Sequence, residues 1–204
     1  MIDHIVYGVL DLEAGIADLE RLLGIRAAVG GRHPGRGTHN ALLGLGGPSY
    51  LEIIARDPDQ DLPPGPLPFA LETLTEARLV GWAIRARGID AFVEEVRRSG
   101  YDPGPVTEMS RLRPDGVLLR WSLARDAPDR SFLVPFVIDW LDTAHPAESA
   151  PTGVTLGRLS AVHPDPDSVR PALEALGAGI TVAEGAEPAL VAVLDTPRGR
   201  VELR

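Results

Sequence analysis

Apolar residues fall on one helical face three times along the chain, each time shortly after an alternating, strand-like stretch. Leu12, Ile16, Leu19 and Leu22/Leu23 recur with a helical period between Asp11, suited to cap an N-terminus, and Gly24, suited to stop a helix. Ile89, Phe92, Val93 and Val96 do the same before Gly100, and Val169, Leu173 and Leu176 before Gly177. The near-equal spacing of the three glycines points to a long internal repeat.

Each helical stretch is preceded by one strand-like stretch, at 2–9, 79–86 and 157–162, and followed by three more. In the first unit these lie near 27–30, 39–45 and 50–55, in the second near 106–109, 117–124 and 132–138, in the third near 180–183, 190–194 and 200–203. The repeated unit is therefore βαβββ. Pro-rich stretches separate the copies: a first module over 1–56, a linker with a short helix over 57–78, a second module over 79–140, a linker over 141–155 and a third, similar module over 156–204. The expected fold class is α+β, with repeated βαβββ modules whose curved mixed sheets form a cleft and whose helices lie on the outer faces. The unpaired third module either covers the pair as a lid or meets its equivalent in a second chain, and a homodimer is the favoured expectation.

Composition removes several chemistries. The 204 residues are 44% hydrophobic and 24% charged, enough for a sizeable core, with no run long enough to span a membrane. Patterned sequence begins at Met1 without a leader-like segment, so a cytoplasmic protein with no membrane partner is expected. Cysteine is absent, which leaves His and carboxylates as the only strong metal ligands. A net charge of -9 without a basic stripe argues against nucleic acid. All basic residues are Arg, so neither a Schiff-base lysine nor a P-loop lysine is available.

The candidate chemistry gathers in "GRHPGRGTHNALLGLGGPSYLEIIA", residues 31–55. Gly31, Gly35 and Gly37 with Pro34 suit a sharp hairpin, and Arg32, His33 and Arg36 in it are candidates to bind a carboxylate or phosphate. With neither GK[ST] nor GxGxxG between strand and helix, no nucleotide cofactor is expected. Strand alternation sends His4 and Glu52 to the cleft face, and one of His39 and Asn40 with them. An imidazole beside a carboxylate can act as an oriented general base next to a carbonyl. Trp82 and Trp121 lie on strands that would border the cleft, and Arg120, a charge inside "VLLRWSLA", requires an anionic partner such as a substrate or Glu52. His145 and His163 read as loop residues without a catalytic part.

The paired βαβββ modules, "IDHIVYGVLDLEAGIADLERLLG", "GGRHPGRGTHNALLGLG", "YLEIIA" and "PFVIDW" followed by "HP" resemble the glyoxalase-like members of the vicinal oxygen chelate superfamily. That resemblance, which covers most of the chain, implies a divalent metal held by side chains from the first and last strands of two paired modules. Carried over, His4 and Glu52 are the first module's metal ligands. The second module offers only Gly81 and Trp82, and Phe136 to Ile138 with Asp139 one step beyond. The leading expectation is an enzyme of lyase, isomerase or dioxygenase type acting on a small, oxygen-rich, anionic metabolite. In it His4 and Glu52 hold one divalent metal or act as base and orienter, His39 or Asn40 polarises a carbonyl, and Arg36 and Arg120 grip the anion. The alternative is a binding or sequestration protein of the bleomycin-resistance type.

Overall fold

A computed structural model describes residues 1–61, 65–113, 115–125 and 132–204; residues 62–64 of the expected first linker lie outside the described residues. The first module is β1 (Ile2–Gly8), α1 (Leu12–Leu23), β2 (Ala28–His33), β3 (Thr38–Gly44) and β4 (Tyr50–Arg56). The second repeats it as β5 (Arg78–Arg85), α2 (Ile89–Arg98), β6 (Val106–Leu112), β7 (Leu118–Ala124) and β8 (Phe136–Asp139). In the expected first linker, the short helix is a 3-10 segment over Pro68–Thr73. Asp11 caps α1 by accepting a hydrogen bond from the Ala14 N–H at 2.9 Å, and Gly24 ends it at φ 82°, a conformation that suits glycine.

The two modules close into one eight-stranded ring in the order β1-β4-β3-β2-β6-β7-β8-β5. Within each module the first and last strands run parallel, β1 with β4 and β5 with β8, and the remaining pairs are antiparallel. Antiparallel contacts of β1 with β5 and of β2 with β6 join the halves. Alternation divides the apolar residues of β1, β3, β4, β5, β7 and β8 between two clusters. Ile5, Leu51, Ile53 and Trp82 face outward against Ile16, Leu19 and Leu23 of α1 and Val93 and Val96 of α2, while Val6, Leu42, Ile54 and Phe136 face into the ring.

The third module consists of β9 (Thr155–His163), α3 (Arg170–Ala175), β10 (Thr181–Glu184), β11 (Ala189–Thr196) and β12 (Gly199–Leu203), forming a separate sheet in the order β10-β9-β11-β12. Its Leu159, Ala161, Leu190, Ala192 and Leu194 belong to the outer apolar cluster that also holds α1. Two backbone bonds fasten it to the ring, Leu156 N–H to Leu45 O at 2.9 Å and Leu79 N–H to Arg204 O at 2.8 Å. None of its residues lines the cavity of the ring. No helix among the described residues is long and apolar enough to cross a membrane.

Candidate active site

Inside the ring lies a cavity of about 560 Å³. Its first-module wall is polar because β1, β3 and β4 turn their even-numbered residues inward: His4, Thr38, Asn40, Tyr50 and Glu52 all line it. His4 and Glu52 are 3% and 7% exposed, and His4 Nε2 stands 3.8 Å from Glu52 Oε2, just beyond hydrogen-bond contact. Each is braced from behind. His4 Nδ1 lies 2.7 Å from Asp3 Oδ1. Glu52 Oε1 accepts a hydrogen bond from Asn40 Nδ2 at 2.6 Å.

Asp3 is fully buried beneath the cavity and is the hub of this bracing. It also accepts from Arg85 Nε at 2.6 Å and Trp140 Nε1 at 3.2 Å, and His145 Nε2 stands 3.1 Å away. Burial alone would push its carboxyl up, but the hydrogen bonds and charges of His145 and His4 outweigh it and hold Asp3 well below the usual carboxylate range. An ionised Asp3 can only accept, so His4 carries a proton on Nδ1, and Nε2 is the ring nitrogen turned toward Glu52.

On the far side of Asn40, its Oδ1 accepts from Arg111 Nη1 at 3.0 Å, which couples the second module to the first across the β2–β6 seam. Gly30 makes room for this pair: a methyl group at that position would overlap both Arg111 Nη1 and Asn40 Oδ1. Gly30→Ala is expected to cost about 2 to 4 kcal/mol, the sum of overpacking and a disrupted buried polar contact, measured by urea denaturation. Unchanged stability would contradict the packing described.

His33, from the end of β2, has Nδ1 2.9 Å from Thr38 Oγ1 and Nε2 3.9 Å from Glu52 Oε1. Burial is the main cause that pushes His33 down to about 4, opposed by Glu52 and reinforced by Arg111. The folded state therefore refuses a proton that the unfolded chain takes near pH 6.5. Its contribution is present above about pH 6.5 and is lost as the pH falls toward 4, at roughly 1.4 kcal/mol per pH unit. Urea titrations from pH 7 to 4.5 are expected to show this loss in the wild type and a shallower one in His33→Gln; equal slopes would contradict it.

The second module sets apolar Val80, Phe136 and Ile138 against the cavity together with the guanidinium of Arg111, and Trp121 and Trp140 close the floor with ring centroids 5.3 Å apart. Arginines reach the cavity from the solvent side. Arg125 stacks 4.2 Å from the ring centre of Phe69, Arg78 stacks 5.5 Å from that of Phe132, and Arg36 Nη2 contacts Met109 Sδ at 3.0 Å. Phe69 holds its place with φ 60°, a left-handed backbone unusual for an aromatic residue.

Of the residues singled out in the sequence, the structure brings together His4, Glu52, Asn40, His33, Arg36 and Trp121 around one cavity. Four lie elsewhere. His39 alternates to the other face of β3, half-buried, and is not among the cavity's lining residues; its charge helps to lower Asp57. Arg32 is half-exposed and is occupied by Asp57 and Asp59 outside the ring. Trp82 is 1% exposed in the outer core, its Nε1 donating to Leu133 O at 2.8 Å. Arg120 is exposed on the outer face of β7, so it needs no buried anion. Sequence reasoning passed over Asp3, Tyr50, Arg111, Arg125, Trp140 and His145. The Asp3–His4 adjacency and the charge inside the strand around Arg111 were signals for two of them.

Among the described residues, no group of three or more His, Asp and Glu side chains is gathered to hold a metal ion. His4 and Glu52 supply two donors, but the second module sets Val80, Phe136 and Ile138 against them. Asp139 is spent on α2, accepting the N–H groups of Gly88 at 2.7 Å and Ile89 at 3.2 Å. Glu52 Oε1 is committed to Asn40, and the Arg111 guanidinium already brings a positive charge to this wall. These residues do not fit the superfamily's paired ligand set.

A ring of two βαβββ modules around one cavity, polar on one module's wall, defines a glyoxalase-type fold. The chain belongs to the glyoxalase-like domain family, whose model matches residues 2–177. A hypothetical protein from Staphylococcus aureus is similar over 98% of this chain and 83% of its own, with a TM-score of 0.69 and 14% identity. Methylmalonyl-CoA epimerase from Mycobacterium tuberculosis is similar over 69% of this chain and 87% of its own, with a TM-score of 0.48 and 18% identity. At these identities the likeness is one of fold. No curated protein matches the chain.

Proposed function

We propose that the protein is an enzyme that moves a proton on a small, oxygen-rich, anionic metabolite, in a reaction of isomerase or lyase type. The observation that carries this reading is the pair of His4 Nε2 and Glu52 Oε2 at 3.8 Å on the cavity wall, held from behind by Asp3 and Asn40. Glu52 takes the proton from a carbon beside a carbonyl, and His4, its tautomer set by Asp3, receives that proton or returns it to a neighbouring position. Arg36, Arg78 and Arg125 attract the substrate's anionic group, since among the described residues none of the three is paired with a carboxylate.

The apolar stretch of Val80, Phe136 and Ile138 opposite His4 and Glu52 favours one rival, a protein that only binds and sequesters its ligand. Consumption of a panel of 2-oxo acids and hydroxyaldehydes, followed by NMR, separates the two. The enzyme reading expects turnover that a His4→Ala, Glu52→Ala double variant abolishes. A ligand held with equal affinity by both forms and never consumed would support the rival.

A further inference from the structure

Among the described residues lining the cavity, a buried cation, Arg111, and a buried phenol, Tyr50, take no part in the proton transfer between His4 and Glu52. Arg111 is 3% exposed, and among the described residues its guanidinium has Asn40 as its hydrogen-bond partner and no carboxylate in direct contact. A guanidinium with that little compensation inside a protein favours an anion beside it. Tyr50 is equally buried, with its ring stacked 4.7 Å from His4 and edge-on to His145. Every fully enclosed side-chain nitrogen or oxygen among the described residues has a partner, so the Tyr50 hydroxyl, which has none, opens onto the cavity it lines. Burial, with Asp3 and Glu52 nearby, pushes this phenol well above its ordinary range and keeps it a proton donor. Both side chains line the same cavity, and the Arg111 charge partly opposes the rise of the Tyr50 phenol.

We propose that Arg111 and Tyr50 form an oxyanion site, and that its ligands are planar 2-oxo carboxylates and the enolates derived from them. The proposal rests on the proton-transfer reading above for its place in the reaction. When Glu52 takes the proton, the C–H electron pair becomes the C=C bond and the carbonyl π pair moves onto oxygen. The resulting oxyanion accepts hydrogen bonds from the free N–H groups of Arg111 and from the Tyr50 hydroxyl. Return of the proton to carbon reverses the shift, so no oxidant or reductant is needed. The positive charge stands preorganised on a side chain only 3% exposed, where such stabilisation is strongest.

Oxalate, a planar dianion of the same shape with no hydrogen to lose, is the probe. Trp121 and Trp140 line the cavity and report its binding by fluorescence, in buffer containing a chelator. Wild type is expected to bind oxalate saturably. Arg111→Gln is expected to weaken binding at least about tenfold and Tyr50→Phe about three- to tenfold, as for lost hydrogen bonds to a charged group. Arg120→Gln, on the outer face, is expected to leave binding unchanged. If Arg111→Gln does not fold, Tyr50→Phe carries the test alone, because it removes only an oxygen. Absence of binding to wild type, or equal binding by wild type and both cavity variants, overturns the proposal. Proton transfer lost in Glu52→Gln but intact in Arg111→Gln and Tyr50→Phe would also overturn it, while leaving the reading of Glu52 in place. Oxalate binding that follows Arg111 in a protein with no turnover would support the anion site and sink the proton-transfer reading alone.

Discussion

Glu52→Gln is expected to lower proton transfer by about 10²- to 10⁴-fold while leaving the fold intact, the range set by removal of a positioned general base. Glutamine keeps the oxygen that accepts from Asn40 Nδ2, so the chain of contacts from Glu52 through Asn40 to Arg111 survives. What is lost is the oxygen 3.8 Å from His4 Nε2, replaced by a nitrogen that cannot take a proton. Ligand affinity should change little, since the mouth arginines and the aromatic floor are untouched, and kcat should fall with KM nearly constant. A large fall in affinity with kcat preserved would identify Glu52 as a binding group only.

The largest stability effect is expected at Asp3. Asp3→Ala leaves Arg85, His145 and the Trp140 N–H without their shared acceptor beneath the cavity, and removing one partner from a buried ionic cluster costs about 3 to 5 kcal/mol. Denaturant unfolding at pH 7 measures it, and a loss below about 1 kcal/mol would show that water replaces the carboxylate freely. The pH dependence has a definite sign. Because Asp3 is held below the ordinary carboxylate range, its contribution is present above about pH 4 and is lost as the pH falls below that value. The Asp3→Ala variant should therefore lose less stability than wild type on acidification below pH 4, whereas the His33 contribution acts at higher pH, between about 6.5 and 4.

Much of the fold follows from periodicity, because both helical faces and strand alternation are local patterns. The Leu12 to Leu23 stripe with its Asp11 cap, and the in-phase alternation of β1 and β4, suffice to turn His4 and Glu52 toward one cavity. The limits appear where contacts are long-range. Of two charges embedded in strands, Arg120 stands out among apolar neighbours, yet alternation turns it to solvent, whereas Arg111, in the more polar "TEMSRL", is the one that points inward. The space left by Gly30 has no local signature either, because what fills it comes from the other module. His145 follows the second module as a loop residue, and only the closed ring brings it under Asp3.

The third module carries the same lesson for Glu52. Its sequence counterpart, Glu202 of "RVELR", is exposed and paired with Arg204 at 2.8 Å. The third sheet, however, does not repeat the first module's strand order, so the two glutamates share a place in the sequence pattern and not in the fold: Glu202 lies on β12, an edge strand paired with β11, and Glu52 on β4, paired with β1. The difference lies in the facing wall, which the ring supplies to Glu52 and which is absent at Glu202.

The central claim is that the side chains of the first-module wall move a proton on a bound carbonyl compound. Its most direct test is deuterium incorporation from D2O at the carbon beside the carbonyl, followed by proton NMR over a panel of 2-oxo acids, with chelator-treated wild type and Glu52→Gln side by side. The account expects incorporation into at least one compound by wild type that persists after chelation and is lost in Glu52→Gln. Incorporation into none, incorporation equal in both proteins, or incorporation abolished by the chelator would contradict it.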